Sequence, residues 1–145
     1  MTSYRNMFRA KIHRARVTAA DLEYEGSITI DPVLMEAAGI LPFERVQVLN
    51  LSNAARAETY AIQGLPNSGD IVLNGALARI AYPGDPVIIL AYAWVDEETA
   101  KRMRPVVVRV DENNRITNIS GSAEQVFNPG DVIPGPDRSE SAKSI

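Results

Sequence analysis

Hydrophobic and polar residues alternate along most of this chain with the period of two expected of β-strands that have one buried face. Leu22, Tyr24, Ile28 and Ile30 alternate with polar residues around Gly26, which predicts a strand over residues 22–30 with a bulge or bend at its glycine. Further strands are expected at Val46–Leu51, Glu58–Ile62, Ile71–Leu73, Val87–Val95, Val106–Val110 and Arg115–Ile119, the last two forming a hairpin around Asp111–Asn114. Asp31-Pro32 reads as a helix start, with Asp31 as N-cap and Pro32 in the first turn, and Gly39 is placed to end that short helix. Asp96 is placed to cap a second helix through Met103, with Glu97 and Glu98 in its first turn and Lys101 and Arg102 near its end. Turns are expected at Asn53–Arg56 and Tyr82–Asp85, a loop over Gln63–Asp70, and a helical turn from Asn74-Gly75 through Arg79. About six strands with two or three short helices argue for a mainly β fold, a small barrel with short capping helices. The pattern leaves the strand order open.

With 145 residues and 46% hydrophobic content, the chain fits one domain plus a tail. The domain is expected over residues 1–119. Residues 120–145 are polar and rich in Gly, Pro and Ser, and are expected to lack fixed structure, with Val126-Phe127 as the pair able to dock. A net charge of −3 gives no global reason to expect a nucleic-acid partner. The absence of cysteine excludes a disulfide framework and a thiol nucleophile, while the single histidine, His13, excludes a multi-histidine metal site. No acidic cluster suggests a carboxylate site, so no metal is expected. The first residues carry no apolar leader-like run, and Val87–Val95 falls short of the ~20 residues that span a bilayer. A cytoplasmic protein without membrane contact is expected.

Chemistry enters at Gly26-Ser27. A serine after a glycine can attack its own backbone, because a residue without Cβ reaches the conformations that bring the hydroxyl over the glycine carbonyl. An N→O acyl shift then gives an ester, elimination gives dehydroalanine, and hydrolysis with loss of ammonia leaves a pyruvoyl group at the new N-terminus. The dipeptide alone is not specific, since Gly121-Ser122 repeats it in a polar stretch that reads as ordinary loop.

The surroundings of Ser27 are specific. Lys11-Ile12-His13-Arg14, Val17-Thr18 and Asp21-Leu22-Glu23-Tyr24-Glu25-Gly26-Ser27 resemble the N-terminal signature of the aspartate 1-decarboxylase family. Ala37-Ala38-Gly39-Ile40, Arg56 with Thr59-Tyr60-Ala61-Ile62, and Asn74-Gly75-Ala76 follow in the family's order, so the resemblance spans roughly residues 5 to 119. It implies a double-psi β-barrel that decarboxylates L-aspartate to β-alanine and CO₂ for pantothenate synthesis. It further implies cleavage between Gly26 and Ser27, a covalent pyruvoyl group derived from Ser27, and no pyridoxal phosphate. A homotetramer with sites between neighbouring subunits is also implied, and the need for an accessory maturation factor is left open.

The resemblance assigns Tyr60 as proton donor, a role suited to a phenol with an ordinary pKa near ~10. It assigns Thr59 to self-cleavage and substrate contact, although Thr59 and Tyr60 point to opposite faces of a regular strand. Arg56 offers a planar fork and Lys11 a point charge for the substrate's carboxylates. Asn74, Gly75, Ala76 and Leu77 are expected to contact substrate, the last through its backbone. His13 reads as a packing or hydrogen-bonding residue. The chain departs from the common pattern at Leu49, where tryptophan is frequent, at Leu77, where alanine is common, and at Arg79, where histidine is frequent. Two alternatives stand beside this reading. One is a non-catalytic β-barrel interaction module in which Gly26-Ser27 is a mere bend; the other is a pyruvoyl decarboxylase of another amino acid, disfavoured for glutamate because Leu77 offers no added room.

Overall fold

The computed structural model describes residues 2–121. The tail expected from residue 120 onward, with Val126-Phe127, lies outside the described residues from 122, and the last strand ends at Ser120. Nine strands form one mixed sheet: β1 (Tyr4–Arg16), β2 (Ala19–Asp21), β3 (Ser27–Ile30), β4 (Arg45–Asn50), β5 (Arg56–Gln63), β6 (Ile71–Asn74), β7 (Pro86–Asp96), β8 (Val106–Val110) and β9 (Ile116–Ser120). Their order is β2-β6-β3-β5-β4-β7-β1-β8-β9. The sheet curls in a barrel-like way around one core without closing through strand pairing. Ile12, Ile28, Ile30, Val48, Leu73 and Ile89 are fully buried at its centre, each contributing about 2 kcal/mol of apolar burial.

Both helices follow the caps read from sequence. Helix α1 (Pro32–Ala38) starts at Asp31, whose carboxylate accepts the Val33 N–H at 2.9 Å, and stops at Gly39, which lies in the left-handed region. Helix α2 (Glu97–Arg102) starts at Asp96, which accepts the Thr99 N–H at 2.7 Å. A 3₁₀ helix over Gly75–Arg79 supplies the expected turn after Asn74.

The alternation pattern misses one strand and extends another too far. The strongest strand of the N-terminal half, β1, has no counterpart in the alternation reading. Its inward residues are Ala10 and Ile12, then Ala15, because a bulge between His13 and Ala15 shifts the phase, with Arg14 at φ 64°. Two of the three core positions are alanine, too small to announce a strand. The strand extended too far is the one drawn through Gly26. Asp21 Oδ1 accepts the Glu23 N–H at 3.1 Å, an Asx turn that ends β2 and leaves residues 22–26 as exposed turn. Strand β3 begins at Ser27, so the Gly26-Ser27 bond is the junction between turn and sheet.

Buried polar side chains tie distant loops to this frame. Asn114 accepts the Arg16 N–H at 2.7 Å and donates to the carbonyls of Arg16 at 2.9 Å and Gly69 at 2.7 Å. Asn114→Ala orphans three backbone groups and places alanine at φ 60°, and is expected to cost about 2–4 kcal/mol. Urea unfolding at fixed protein concentration measures this, and a loss below about 0.5 kcal/mol would show that the loops are held by other contacts.

Candidate active site

Ser27 is 1% exposed, whereas Gly26 beside it is open to solvent. The antiparallel ladder of β3 with β6 sets Ser27 opposite Asn74. The Asn74 side-chain amide donates to Ser27 Oγ at 2.9 Å and to Thr29 Oγ1 at 2.9 Å, bridging two residues of β3. The Ser27 hydroxyl in turn donates to the Glu25 carbonyl at 3.2 Å, which turns it back toward the chain on the N-terminal side of Gly26. The hydroxyl is thus buried and held by contacts within its own chain.

The conformational demand expected of Gly26 falls elsewhere. A Cβ added at Gly26 meets nothing within 4 Å, and its φ lies outside the left-handed region. Gly75 lies at φ 68°, and a Cβ there would stand 2.8 Å from Gly26 Cα and 2.9 Å from Gly26 N.

Tyr60 reaches the same neighbourhood through the other edge of β3. The parallel ladder of β3 with β5 begins at Ile28 and Ala61, the residues that follow Ser27 and Tyr60 in their strands. Tyr60 is 38% exposed and its ring meets Phe43 at a centroid distance of 6.5 Å. Arg56, Glu58 and Tyr60 share the outer face of β5, while Thr59 turns inward. Glu58 is held by Arg45 in an ion pair, so its charge is offset between Arg56, expected to meet a carboxylate, and Tyr60, expected to donate a proton. Leu49 stands opposite Arg56 in the β4–β5 register. Leu77 is buried in the core, so the departure at this position does not narrow a substrate space by its side chain; Ala76 beside it is exposed.

Lys11 lies on β1, which does not pair with β3: β5, β4 and β7 stand between the two strands in the sheet order. It sits with His13 on the outer side of β1, alongside Arg109 of β8, which pairs with His13. Burial and then the Arg109 charge hold the Lys11 ammonium below the usual lysine range, and its Nζ lies 5.9 Å from the Phe8 ring centroid. His13 is pushed down to about 4, first by burial and then by Lys11, Arg109 and Arg14. Its buried Nδ1 has no hydrogen-bond partner, in keeping with a neutral ring in a cationic setting. Among the described residues no group of three His, Cys, Asp or Glu is placed to hold a metal, and no helix is long and apolar enough to cross a membrane.

A model of the aspartate decarboxylase family matches residues 3–117, which takes in every residue of this constellation. The chain belongs to the aspartate decarboxylase family. It is 56% identical over 115 residues to the aspartate 1-decarboxylase of Thermoanaerobacter pseudethanolicus, covering 79% of this chain and 98% of that one. It is 58% identical over 112 residues to that of Lactiplantibacillus plantarum, covering 77% of this chain and 86% of the relative. The aspartate 1-decarboxylase of Salinibacter ruber is 55% identical over 112 residues, 77% of each chain. The family match spans Gly26-Ser27, and the side chain of Asn74 has more contact with Ser27 than its Asn-Gly turn context suggests. Its amide, expected to meet substrate, is already committed to Ser27 and Thr29.

His13 carries a pH signature in this aspartate decarboxylase family member. Its folded-state value of about 4 lies below the ordinary 6.5, so between these limits the unfolded chain binds more protons. The stability it contributes is fully present above 6.5 and lost as pH falls toward 4. As the chain's single histidine, it gives one Cε1–H signal, expected to stay at its neutral position from about pH 8 to about pH 5 and to move below that. Lys11→Met is expected to raise the midpoint. A midpoint near 6.5 in the unsubstituted protein would contradict the cationic setting.

Proposed function

We propose that this protein decarboxylates L-aspartate to β-alanine and CO₂, serving pantothenate synthesis, after cutting itself between Gly26 and Ser27. The observation that carries the proposal is the buried Ser27 hydroxyl, held between the Asn74 amide and the Glu25 carbonyl at the junction of turn and sheet. Ser27 Oγ attacks the Gly26 carbonyl carbon and the amide nitrogen leaves as the free amine of Ser27, giving an ester. Elimination then expels the Gly26 carboxylate and leaves dehydroalanine. One water is consumed and one ammonia released as this becomes the pyruvoyl group. Thr59, on the strand paired with β3, is assigned to this step with Gly26 and Ser27.

The position fits that group. A pyruvoyl group is small, uncharged and accepts hydrogen bonds, and residue 27 is shielded from water with an amide donor on its flank. When present, it supplies an electron sink for the pair left behind as CO₂ departs. No metal or external organic cofactor has a part in this scheme. Tyr60, which precedes Ala61 at the start of the β3–β5 ladder, holds the proton delivered to the decarboxylated carbon. Arg56 on the same strand face binds a substrate carboxylate through its fork, and the Arg45–Glu58 pair limits repulsion from the nearest acid. Asn74, Gly75, Ala76 and Leu77 border the site, the last two through backbone groups.

Lys11 enters from a second copy of the chain in this reading. Its distance from β3 in the sheet order and the exposed rings of Phe43 and Trp94 support a homo-oligomer, a tetramer in the family pattern, with sites shared between neighbours.

Intact-mass analysis after warming is expected to show two fragments, the longer beginning with a pyruvoyl group in place of serine. Ser27→Ala is expected to stay uncut. Tyr60→Phe is expected to cut normally but to lose ~10²–10⁴-fold in kcat. Products are followed with aspartate and glutamate side by side. Fully processed protein that forms no β-alanine would sink the substrate assignment, and a Tyr60→Phe protein with normal kcat would sink the proton-donor role.

A further inference from the structure

We propose that Gly75 is a positioning residue for self-cleavage: its bare backbone seats the turn that presents the Gly26 carbonyl to Ser27. The inference rests on the cleavage reading above and concerns a contact that reading does not use. The scissile bond is gripped from two sides by consecutive residues. Asn74, the last residue of β6, fixes the Ser27 side through its amide. Gly75, the next residue, lies against the Gly26 side: a Cβ built on it would come within 2.8 Å of Gly26 Cα, 2.9 Å of Gly26 N and 3.1 Å of the Tyr24 carbonyl oxygen.

All three of those neighbours are backbone atoms, so no rotamer change relieves the overlap. Either β6 or the 24–26 turn must move. The two are not equally stiff. Strand β6 is paired with both β2 and β3, with Ile71 and Leu73 buried in the core. The turn is exposed and outside any ladder, and its link to the site is the Ser27 hydroxyl on the Glu25 carbonyl. A methyl group at residue 75 therefore displaces the turn and leaves the sheet in place. That displacement moves the Gly26 carbonyl relative to an Oγ that Asn74 holds still, and a shift of ~1 Å at a reacting centre is enough to cost ~10²-fold in rate. Burial by itself does not produce this asymmetry.

A control lies in the same chain. Gly69 also has a left-handed φ, 73°, and a Cβ there would stand 2.9 Å from the Asn113 carbonyl oxygen, with Asn114 next nearest. Gly69→Ala carries a comparable backbone penalty among a different set of neighbours.

The test follows cleavage by intact mass at fixed temperature, with thermal melting of each uncut protein, for the unsubstituted chain, Gly75→Ala, Gly75→Asn and Gly69→Ala. Asparagine tolerates the left-handed region but keeps a Cβ, so it separates the contact from backbone strain and guards against an alanine variant that fails to fold. Both Gly75 variants are expected to cleave at least ~10-fold more slowly than the unsubstituted chain, and up to ~100-fold. Gly69→Ala is expected to melt lower yet cleave within about threefold of the unsubstituted rate. Cleavage of Gly75→Asn at the unsubstituted rate overturns the inference, as does a Gly69→Ala protein slowed as much as the Gly75 variants. An unsubstituted chain that never cleaves overturns the maturation reading itself.

Discussion

The antiparallel register that sets Ser27 opposite Asn74 is the constraint on which the rest of the site depends. Strand side chains alternate between faces, so a slip of one residue would carry the Asn74 amide to the far side of the sheet and leave Ser27 without its donor. The register is held by burial on both strands, with Ile28 facing Leu73 and Ile30 facing Ile71. The same β3 is flanked by β5 in parallel, so one strand of four residues is the reference for the serine, its amide donor and the tyrosine. The local geometry is therefore set by the core and not by the exposed turn that carries Gly26.

Charge is arranged locally on a chain whose balance is negative. Lys11, His13 and Arg109 lie together on the outer side of β1 and β8, where partial burial strengthens every interaction among them. The histidine responds by staying neutral, so the cluster gains no third charge at neutral pH. Two acids beside β4 and β5, Glu44 and Glu58, are engaged by Arg9 of β1 and Arg45 of β4. A dicarboxylate approaching this surface thus meets cations whose nearest counter-charges are already spoken for.

How much of this is legible in sequence depends on the range of the interaction. Asp31, Gly39 and Asp96 act within a few residues of themselves, and their helix boundaries were readable from residue type. The strands of the C-terminal half are readable because runs rich in β-branched and other large apolar residues, such as Val87–Val95 and Val106–Val108, stand between turn signals. Strand β1 was hidden because its inward positions are small and a bulge at Arg14 resets their phase. The turn at 22–26 imitates a strand in sequence because Leu22 and Tyr24 carry the right alternation, whereas one Asx hydrogen bond decides the backbone. Asn114 joins Arg16 across 98 positions, a relation no local pattern encodes. At the site, the residues of the constellation were legible through the family resemblance, but their division of labour was not: the bare backbone of Gly75 and the committed amide of Asn74 become visible only when β6 is laid against β3.

The burial of Ser27 then orders the chemistry in time. At 1% exposure, the Ser27 side chain offers almost no surface to an external molecule. In an enzyme whose serine attacks an external substrate, that burial would block turnover. In a chain that uses the hydroxyl once, against its own backbone, burial is an advantage, because water competes poorly for an ester formed in a dry site. Breaking the bond cuts the covalent tie between an exposed, unpaired turn and a strand fixed by two neighbours, and the freed end of the turn is the more mobile of the two. On the proposed reading, cleavage both creates the reactive group and frees a chain end beside it. On that reading the pairing of β3 with β6 and β5 keeps the residue left behind opposite Asn74.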